Sequence, residues 1–326
     1  MADGAACFEV QKPGAITSVQ DLGRHGLQHL GVPVSGVVDE LAHRLANALV
    51  GNRPEDATLE VTLLGPTLRF VQGAWVACCG AELSLSIDGR PTPNDVAAWV
   101  PPGGVLQFGR RVHGLRAVLA VAGGIQVDAV MGSRSTYARG GFGGFQGRPL
   151  RKGDAVPILP PALASAAPAA LDPAWIAAAQ AVWHDDAPLR VTPGREWDEF
   201  LPASQQAWLA DAWRISPQSD RMGYRLDALH PLQRHAPRDM LSESVTFGTV
   251  QVPPDGQPIV LMAERQTSGG YARIAQVASA DLPRLAQAAP GDALRFAMIS
   301  TDAAQALDAE RQRLYDALAS CARSPA

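Results

Sequence analysis

Short alternating apolar runs dominate the first half of this chain. Leu83, Leu85 and Ile87 alternate with Ser84 and Ser86, the two-residue period of a half-buried strand, and Asp88-Gly89 follows as a hairpin turn. Residues 58–64, 67–70, 105–108 and 116–121 read as further strands. One stretch keeps a different period. Leu41, Leu45 and Leu49 recur every four residues beside Ala42 and Ala46, which predicts a helix over 39–49 with Asp39 as its N-cap and Gly51 just past its end.

A Pro/Ala-rich stretch over 157–173 (Pro157, Pro160, Pro161, Pro168, Pro173) reads as a connection between lobes. Helical patterns at 172–183 and 203–213 follow. Strand patterns return at 245–252, 258–262, 274–278 and 293–299. Leu307, Leu314 and Leu318 mark a final helix over 302–321. Many strands with few helices between them predict a β-rich α+β chain of two lobes, each of mixed or antiparallel barrel type, rather than a doubly wound sheet. The expected division is 1–160 for the first lobe, 161–188 for linker and helix, and 189–326 for the second lobe with its terminal helix. A Gly-Asp pair in each half (Gly153-Asp154, Gly291-Asp292) is a faint sign of duplication.

Composition narrows the function. The chain has 326 residues, a net charge of −4 and 18% charged residues, which gives no footing for nucleic-acid or membrane-surface binding. Lys12 and Lys152 are its only lysines, so lysine chemistry has two places to occur. Cys7, Cys78, Cys79 and Cys321 show no Cys-x-x-Cys spacing, and free thiols in a reducing, cytoplasmic setting are expected. The first residues lack the pattern of a signal peptide, and no apolar run approaches the ~20 residues of a membrane span.

Two octets carry the candidate chemistry. Ser219-Asp220-Arg221-Met222-Gly223-Tyr224-Arg225-Leu226 has a counterpart in Glu264-Arg265-Gln266-Thr267-Ser268-Gly269-Gly270-Tyr271. Each sets an acid directly before an arginine, with a second polar side chain close behind. A guanidinium fork suits carboxylate or phosphate, and an adjacent acid can orient it. A lone acid–arginine pair is more often a surface ion pair of small worth; the repetition is what points to a site. The catalytic candidates are Arg221, Arg265 and Gln266, with Asp220 and Glu264 orienting the arginines. Arg225 and Tyr271 are candidate binding residues.

The run Gly140-Gly141-Phe142-Gly143-Gly144-Phe145-Gln146-Gly147 has two readings. The N–H groups of Gly141, Gly143 and Gly144 can form a nest for an anion, or the loop is a tight packed turn under Phe142 and Phe145. It lacks the Lys-Ser/Thr ending of a P-loop. Residues 18–24 and 31–39 are rich in Gly, Pro and polar groups, making Gln20 and Asp39 binding candidates, although 35–36 also reads as a turn into the helix cap. His25 and His29 are four apart, but Gly23, Gly26 and Gly31 argue against a helix presenting them, and no metal site is expected. No Gly-x-Ser-x-Gly elbow is present.

Taken in order, these segments resemble the KipA family, also known as allophanate hydrolase subunit 2 and as the C subunit of 5-oxoprolinase. The resemblance runs from about Pro13 to Phe296. It rests on Ser18-Val19-Gln20-Asp21-Leu22-Gly23-Arg24, Gly31-Val32-Pro33, Leu45-Ala46-Asn47-Ala48-Leu49-Val50-Gly51-Asn52, Leu59-Glu60-Val61-Thr62 and Gly132-Ser133-Arg134-Ser135-Thr136. It also rests on the glycine loop, the octet Ser219–Leu226, Gln251-Val252-Pro253-Pro254-Asp255-Gly256-Gln257-Pro258 and Arg265-Gln266-Thr267. It departs from the family at Val37-Val38, where Ala-Met is common, at Glu264 for Asp, and at Ala272 for Pro.

The resemblance implies two β-rich lobes, one a cyclophilin-like barrel, and an active cleft shared with a KipI-like partner, the B subunit. It implies a hydrolase: an ATP-dependent 5-oxoprolinase that opens the lactam 5-oxoproline to glutamate together with an A subunit, this chain being inactive alone. ATP is the expected cosubstrate, at a site open between this chain and its partner. The alternatives are a urea- or allophanate-pathway carboxyltransferase subunit, for which urea shares the N–C=O unit of a lactam, and a regulatory protein that binds a KipI-like kinase inhibitor. Neither lysine sits in an Ala-Met-Lys-Met context, so covalent biotin on this chain is not expected.

Overall fold

The computed structural model describes residues 6–161, 171–227, 230–236 and 239–321. The chain divides into two compact units. The first holds the residues up to Arg24, Ser35–Trp183, and the chain from Leu314 onward; the second holds His25–Val34 and His184–Arg313.

The first unit is built on two antiparallel sheets. One runs in the order Ala155–Pro157, Cys7–Lys12, Thr67–Phe70, Val105–Gln107, Ser86–Ile87, Arg90–Pro91; the other runs Ile16–Gln20, Thr58–Thr62, His113–Val121, Ala74–Glu82, Ala97–Val100. The strand His113–Val121 explains why its run Ala117–Val121 is apolar throughout. Ala117, Leu119 and Val121 enter a core with Phe8, Leu59 and Phe70, while Val118 and Ala120 enter a second core beneath the helix Glu40–Leu49. A strand covered on both faces has no polar side to show.

Cys78 and Cys79 follow the same alternation, so neighbours in sequence point into different cores. Both are free, and burial pushes both thiols up, which makes them inert packing groups. Asp39 caps the helix by accepting from Ala42 N at 2.9 Å, as its position predicts.

The second unit is an eight-stranded sheet in the order Ala293–Leu294, Trp213–Ile215, Gly223–Asp227, Ile259–Leu261, Thr249–Val252, Ala272–Val277, Leu189–Pro193, Phe296–Met298. The single segment 293–298 therefore occupies both edges. Its first half pairs with Trp213–Arg214 and its second half lies parallel to Leu189–Val191. A segment shared between opposite edges bends the sheet into a nearly closed barrel, which removes exposed edges. Trp208 stacks on Phe296 with ring centroids 4.2 Å apart and helps seal that corner. A small ladder, Glu243–Ser244 with Ser268–Gly269, stands apart from the barrel sheet.

Several expected elements differ. The alternation at 83–87 is real in burial, but Ser84 takes a positive φ of 46° and only Ser86–Ile87 is strand. The helix expected over 203–213 is Pro202–Ala210, because Trp213 is drawn into the barrel sheet. The strand expected over 245–252 starts at Thr249, after a turn at Gly248 with φ 82°. The terminal helix is Thr301–Ala319. Its last turns place Tyr315 and Leu318 in the first unit's second core, so it does not belong wholly with the second lobe as expected. Of the Pro/Ala-rich stretch, 162–170 lie outside the described residues; the helix Pro173–Trp183 groups with the first unit rather than acting as linker.

Candidate functional site

The two octets lie side by side in the second unit. The strand Gly223–Asp227 pairs antiparallel with Ile259–Leu261, and this register brings the turn before Gly223 against the turn after Leu261. Met262 N donates to Met222 O at 2.9 Å, and Glu264 N donates to Arg221 O at 2.7 Å. Arg221 Nε then donates to Glu264 Oε1 at 2.7 Å. Glu264 thus orients an arginine, but it is the arginine of the other octet.

Asp220 does something different from what its sequence position suggests. Its Oδ1 accepts from Met222 N at 2.7 Å and Gly223 N at 3.2 Å, shaping the turn into the strand, and among the described residues it makes no ion pair. Arg225 is exposed, alternating with buried Tyr224 and Leu226 along the strand.

Arg265 is the unusual group. It is 9% exposed, yet its Nε reaches only Val245 O at 3.4 Å and its Nη1 only Met262 O at 3.4 Å. No carboxylate pairs with it among the described residues. Burial lowers its pKa to about 10, so the guanidinium remains charged at neutral pH while lacking a counter-ion. A buried cation normally has a partner.

Gln251 is a residue that sequence reasoning did not single out as a site residue. It sits on the strand Thr249–Val252, is 1% exposed, and its Nε2 lies 3.5 Å from Tyr271 O. A Cβ on Gly269 would fall 2.4 Å from Gln251 Nε2 and 3.0 Å from Gln266 Nε2, so the absent side chain is what lets the two carboxamides share this space. The available signal was a polar residue between Val250 and Val252 in a buried run. Tyr271, 44% exposed, also walls a cleft of about 840 Å³ formed with Phe200, Arg234, Met240 and Pro254.

Flanking this region, Arg273 is clamped by Glu196 at 2.7 Å and Glu243 at 2.7 Å. Burial alone would raise the Glu196 carboxyl, but its bonds to Arg273 outweigh that and lower it. The clamp holds the ladder Glu243–Ser244 with Ser268–Gly269 against the barrel strand Ala272–Val277.

The remaining candidates belong to the first unit. Asp39 is fully buried and committed, capping the helix with one oxygen while the other accepts from Trp183 Nε1 at 3.0 Å. Gln20 is 1% exposed and donates to Ser18 Oγ at 3.0 Å and Thr136 O at 3.3 Å. In the glycine loop, Gly141 N donates to Tyr137 O and Gly147 N to Gly143 O. A Cβ on Gly143 would lie 2.2 Å from Arg24 Nη2, and one on Gly144 would lie 1.9 Å from Thr136 Oγ1. The loop is therefore packed tightly around Arg24, whose guanidinium lies over the Phe142 ring at 5.0 Å.

Asp21 anchors the same knot. It accepts from Ser133 Oγ at 2.6 Å, Arg134 N at 2.5 Å, Ser135 Oγ at 2.5 Å and Gly23 N at 2.9 Å. Burial would raise its carboxyl, and these bonds more than offset that, leaving it lowered. Among the described residues, no group of three or more His, Cys, Asp and Glu side chains is placed to hold a metal, and no helix is long and apolar enough to cross a membrane.

A β-rich chain with a nearly closed barrel and few helices is the architecture of a carboxyltransferase-type domain. The profile of the family "Carboxyltransferase domain, subdomain A and B" matches residues 30–298, and the chain belongs to that family. It is 39% identical to the C subunit of the Escherichia coli 5-oxoprolinase over 96% of this chain and 97% of that one. It is 36% identical to the C subunit of the Haemophilus influenzae 5-oxoprolinase over 92% and 93%. The fold superposes on the K. lactis urea amidolyase crystal structure with a TM-score of 0.88 and 30% identity, covering 97% of this chain and 20% of that longer one.

Proposed function

We propose that this chain is the C subunit of an ATP-dependent 5-oxoprolinase, acting on the lactam 5-oxoproline with a KipI-like B subunit and an A subunit in the cytoplasm. The observation that carries the reading is Arg265, a 9%-exposed guanidinium with two long carbonyl contacts and no carboxylate. A substrate carboxylate supplies the missing charge. In this reading Gln266, one residue on, donates toward a carbonyl oxygen on which charge develops during ring opening. Arg221, held by Glu264, keeps the neighbouring turn and a second guanidinium at the site.

The glycine loop does not fit a triphosphate. The N–H groups of Gly141 and Gly147 are already spent, and Gly143 and Gly144 are packed against Arg24 and Thr136. ATP is therefore assigned to a surface that the partner chains supply or share, and no step is routed through this loop. Covalent biotin is not expected either. Lys12 ends a strand and Lys152 lies in an exposed turn, neither in a carrier context, so streptavidin blotting of the purified chain should show no band at its mass.

The deciding measurement is steady-state ADP release with 5-oxoproline, using each component singly and in combination. This chain alone should be inactive, and the full set active. Activity of this chain alone would refute the shared-site reading. The superposition on urea amidolyase supports one second reading, a urea-pathway carboxyltransferase subunit. Inactivity of every combination with 5-oxoproline, together with urea-dependent turnover alongside a biotin carboxylase, would establish it.

A further inference from the structure

The second unit contains a buried carboxamide whose bonding is left incomplete. Gln251 is 1% exposed, its Nε2 makes one contact at the 3.5 Å limit, and its Oε1 has no hydrogen-bond partner among the described residues. Burying an amide without partners is costly, and native proteins rarely do so without a ligand or ordered water to complete the set. Its neighbours on the strand, Val250 and Val252, are buried as well.

The geometry restricts what completes it. A primary carboxamide has two N–H donors and an acceptor oxygen. When the N–H anti to Oε1 is the one that serves Tyr271 O, the syn N–H and Oε1 form a single edge, with donor and acceptor side by side. Such an edge pairs with a group that presents N–H and C=O on one side. A lactam does so because its ring holds the amide cis, and urea does so because its NH₂ has a hydrogen on the carbonyl side. An ordinary trans amide does not.

We propose that Gln251 is a specificity-determining residue that reads the cis-amide edge of the substrate through a reciprocal pair of N–H···O bonds. This rests on the lactam reading of the same site and deepens it: Arg265 takes the carboxylate and Gln251 takes the lactam. Gly269 is part of the device. A Cβ there would meet Gln251 Nε2 at 2.4 Å, so the glycine clears the space in which the carboxamide stands. Tyr271, whose carbonyl meets Gln251 Nε2, also lines the 840 Å³ cleft. The edge also accounts for how one fold can serve both lactam and urea chemistry, since the two share it.

The test uses the full chain, isotope-labelled, with the side-chain NH₂ signals of Gln251 assigned by their loss in Gln251→Leu. The probes are pyrrolidinone, N-methylpyrrolidinone and N-methylacetamide, which are respectively a cis amide with a free edge, a cis amide with the N–H blocked, and a trans amide. Pyrrolidinone should shift the Gln251 NH₂ signals, and the other two should bind about tenfold or more weakly. Gln251→Leu should remove that discrimination. Gly269→Ala should weaken pyrrolidinone binding while remaining folded, because the clash is with the movable end of a side chain.

Equal binding of the three probes, no binding of pyrrolidinone, or wild-type discrimination in Gln251→Leu would overturn the proposal. Discrimination among these probes without 5-oxoproline turnover by the full assembly would instead remove the 5-oxoprolinase reading and leave the edge standing.

Discussion

Arg221 and Glu264 are tied twice, by the Glu264 N–H to the Arg221 carbonyl at 2.7 Å and by Arg221 Nε to Glu264 Oε1 at 2.7 Å. Their side chains are only 13% and 11% exposed, so the pair is shielded more than a surface bridge. A double-mutant cycle of Arg221→Met and Glu264→Gln should give a coupling of about 1–3 kcal/mol. Chemical denaturation measures it. A coupling near zero would mean the backbone bonds alone hold the octets together.

Arg265 should behave in the opposite way. Its charge is desolvated without an anion, so Arg265→Met should leave the melting temperature unchanged or raise it. Turnover of the reconstituted assembly should fall by about 100- to 1,000-fold, as for loss of a donor to developing charge or a fixed anion anchor. Calorimetry and ADP release on the same preparations separate the two effects. A lower melting temperature with turnover retained would make the arginine a packing residue.

The glycine loop gives a paired comparison. Gly141 and Gly143 both have φ of 69°, but a Cβ on Gly141 meets nothing within 4 Å, whereas one on Gly143 meets Arg24 and Ser135 at 2.2 Å. Gly141→Ala should cost only the left-handed strain of about 1 kcal/mol, and Gly143→Ala at least about 2 kcal/mol more. Equal costs from thermal unfolding would contradict the packed arrangement.

His43 supplies a pH dependence. It is fully buried between Thr58 Oγ1 at 2.9 Å and the Pro54 carbonyl at 2.8 Å, and burial lowers its pKa below the ordinary 6.5. The unfolded chain therefore takes up the proton first as pH falls. Stability should decline as pH drops below 6.5, with no contribution from this group above it. Unfolding free energy measured across that range should decline less steeply in His43→Gln. An identical slope in the variant would assign the acid sensitivity elsewhere.

The β-rich class, the helix after Asp39 and the repeated acid–arginine octets were legible because each is a local pattern. Alternation, a four-residue apolar repeat and a capping side chain act over neighbouring residues, so the order of residues carries them directly. The strand over 116–121 was legible as a short apolar run, while the covering of both its faces was not. Family membership followed from many such segments in order.

Tertiary structure decided the rest. Glu264 pairs with an arginine 43 residues away while Asp220 turns to its own backbone, because strand register brings the first pair together and the turn geometry claims the second acid. The 293–299 run splits between opposite edges of one sheet because barrel closure needs both. The incomplete bonding of Arg265 and Gln251 is likewise invisible in sequence. A side chain's partners depend on what the fold brings within about 3 Å of it, and hydrogen bonds lose their strength within a few tenths of an ångström beyond that. The chain's local patterns name its elements and the residue types at the site; only their packing determines which polar groups are left for a ligand.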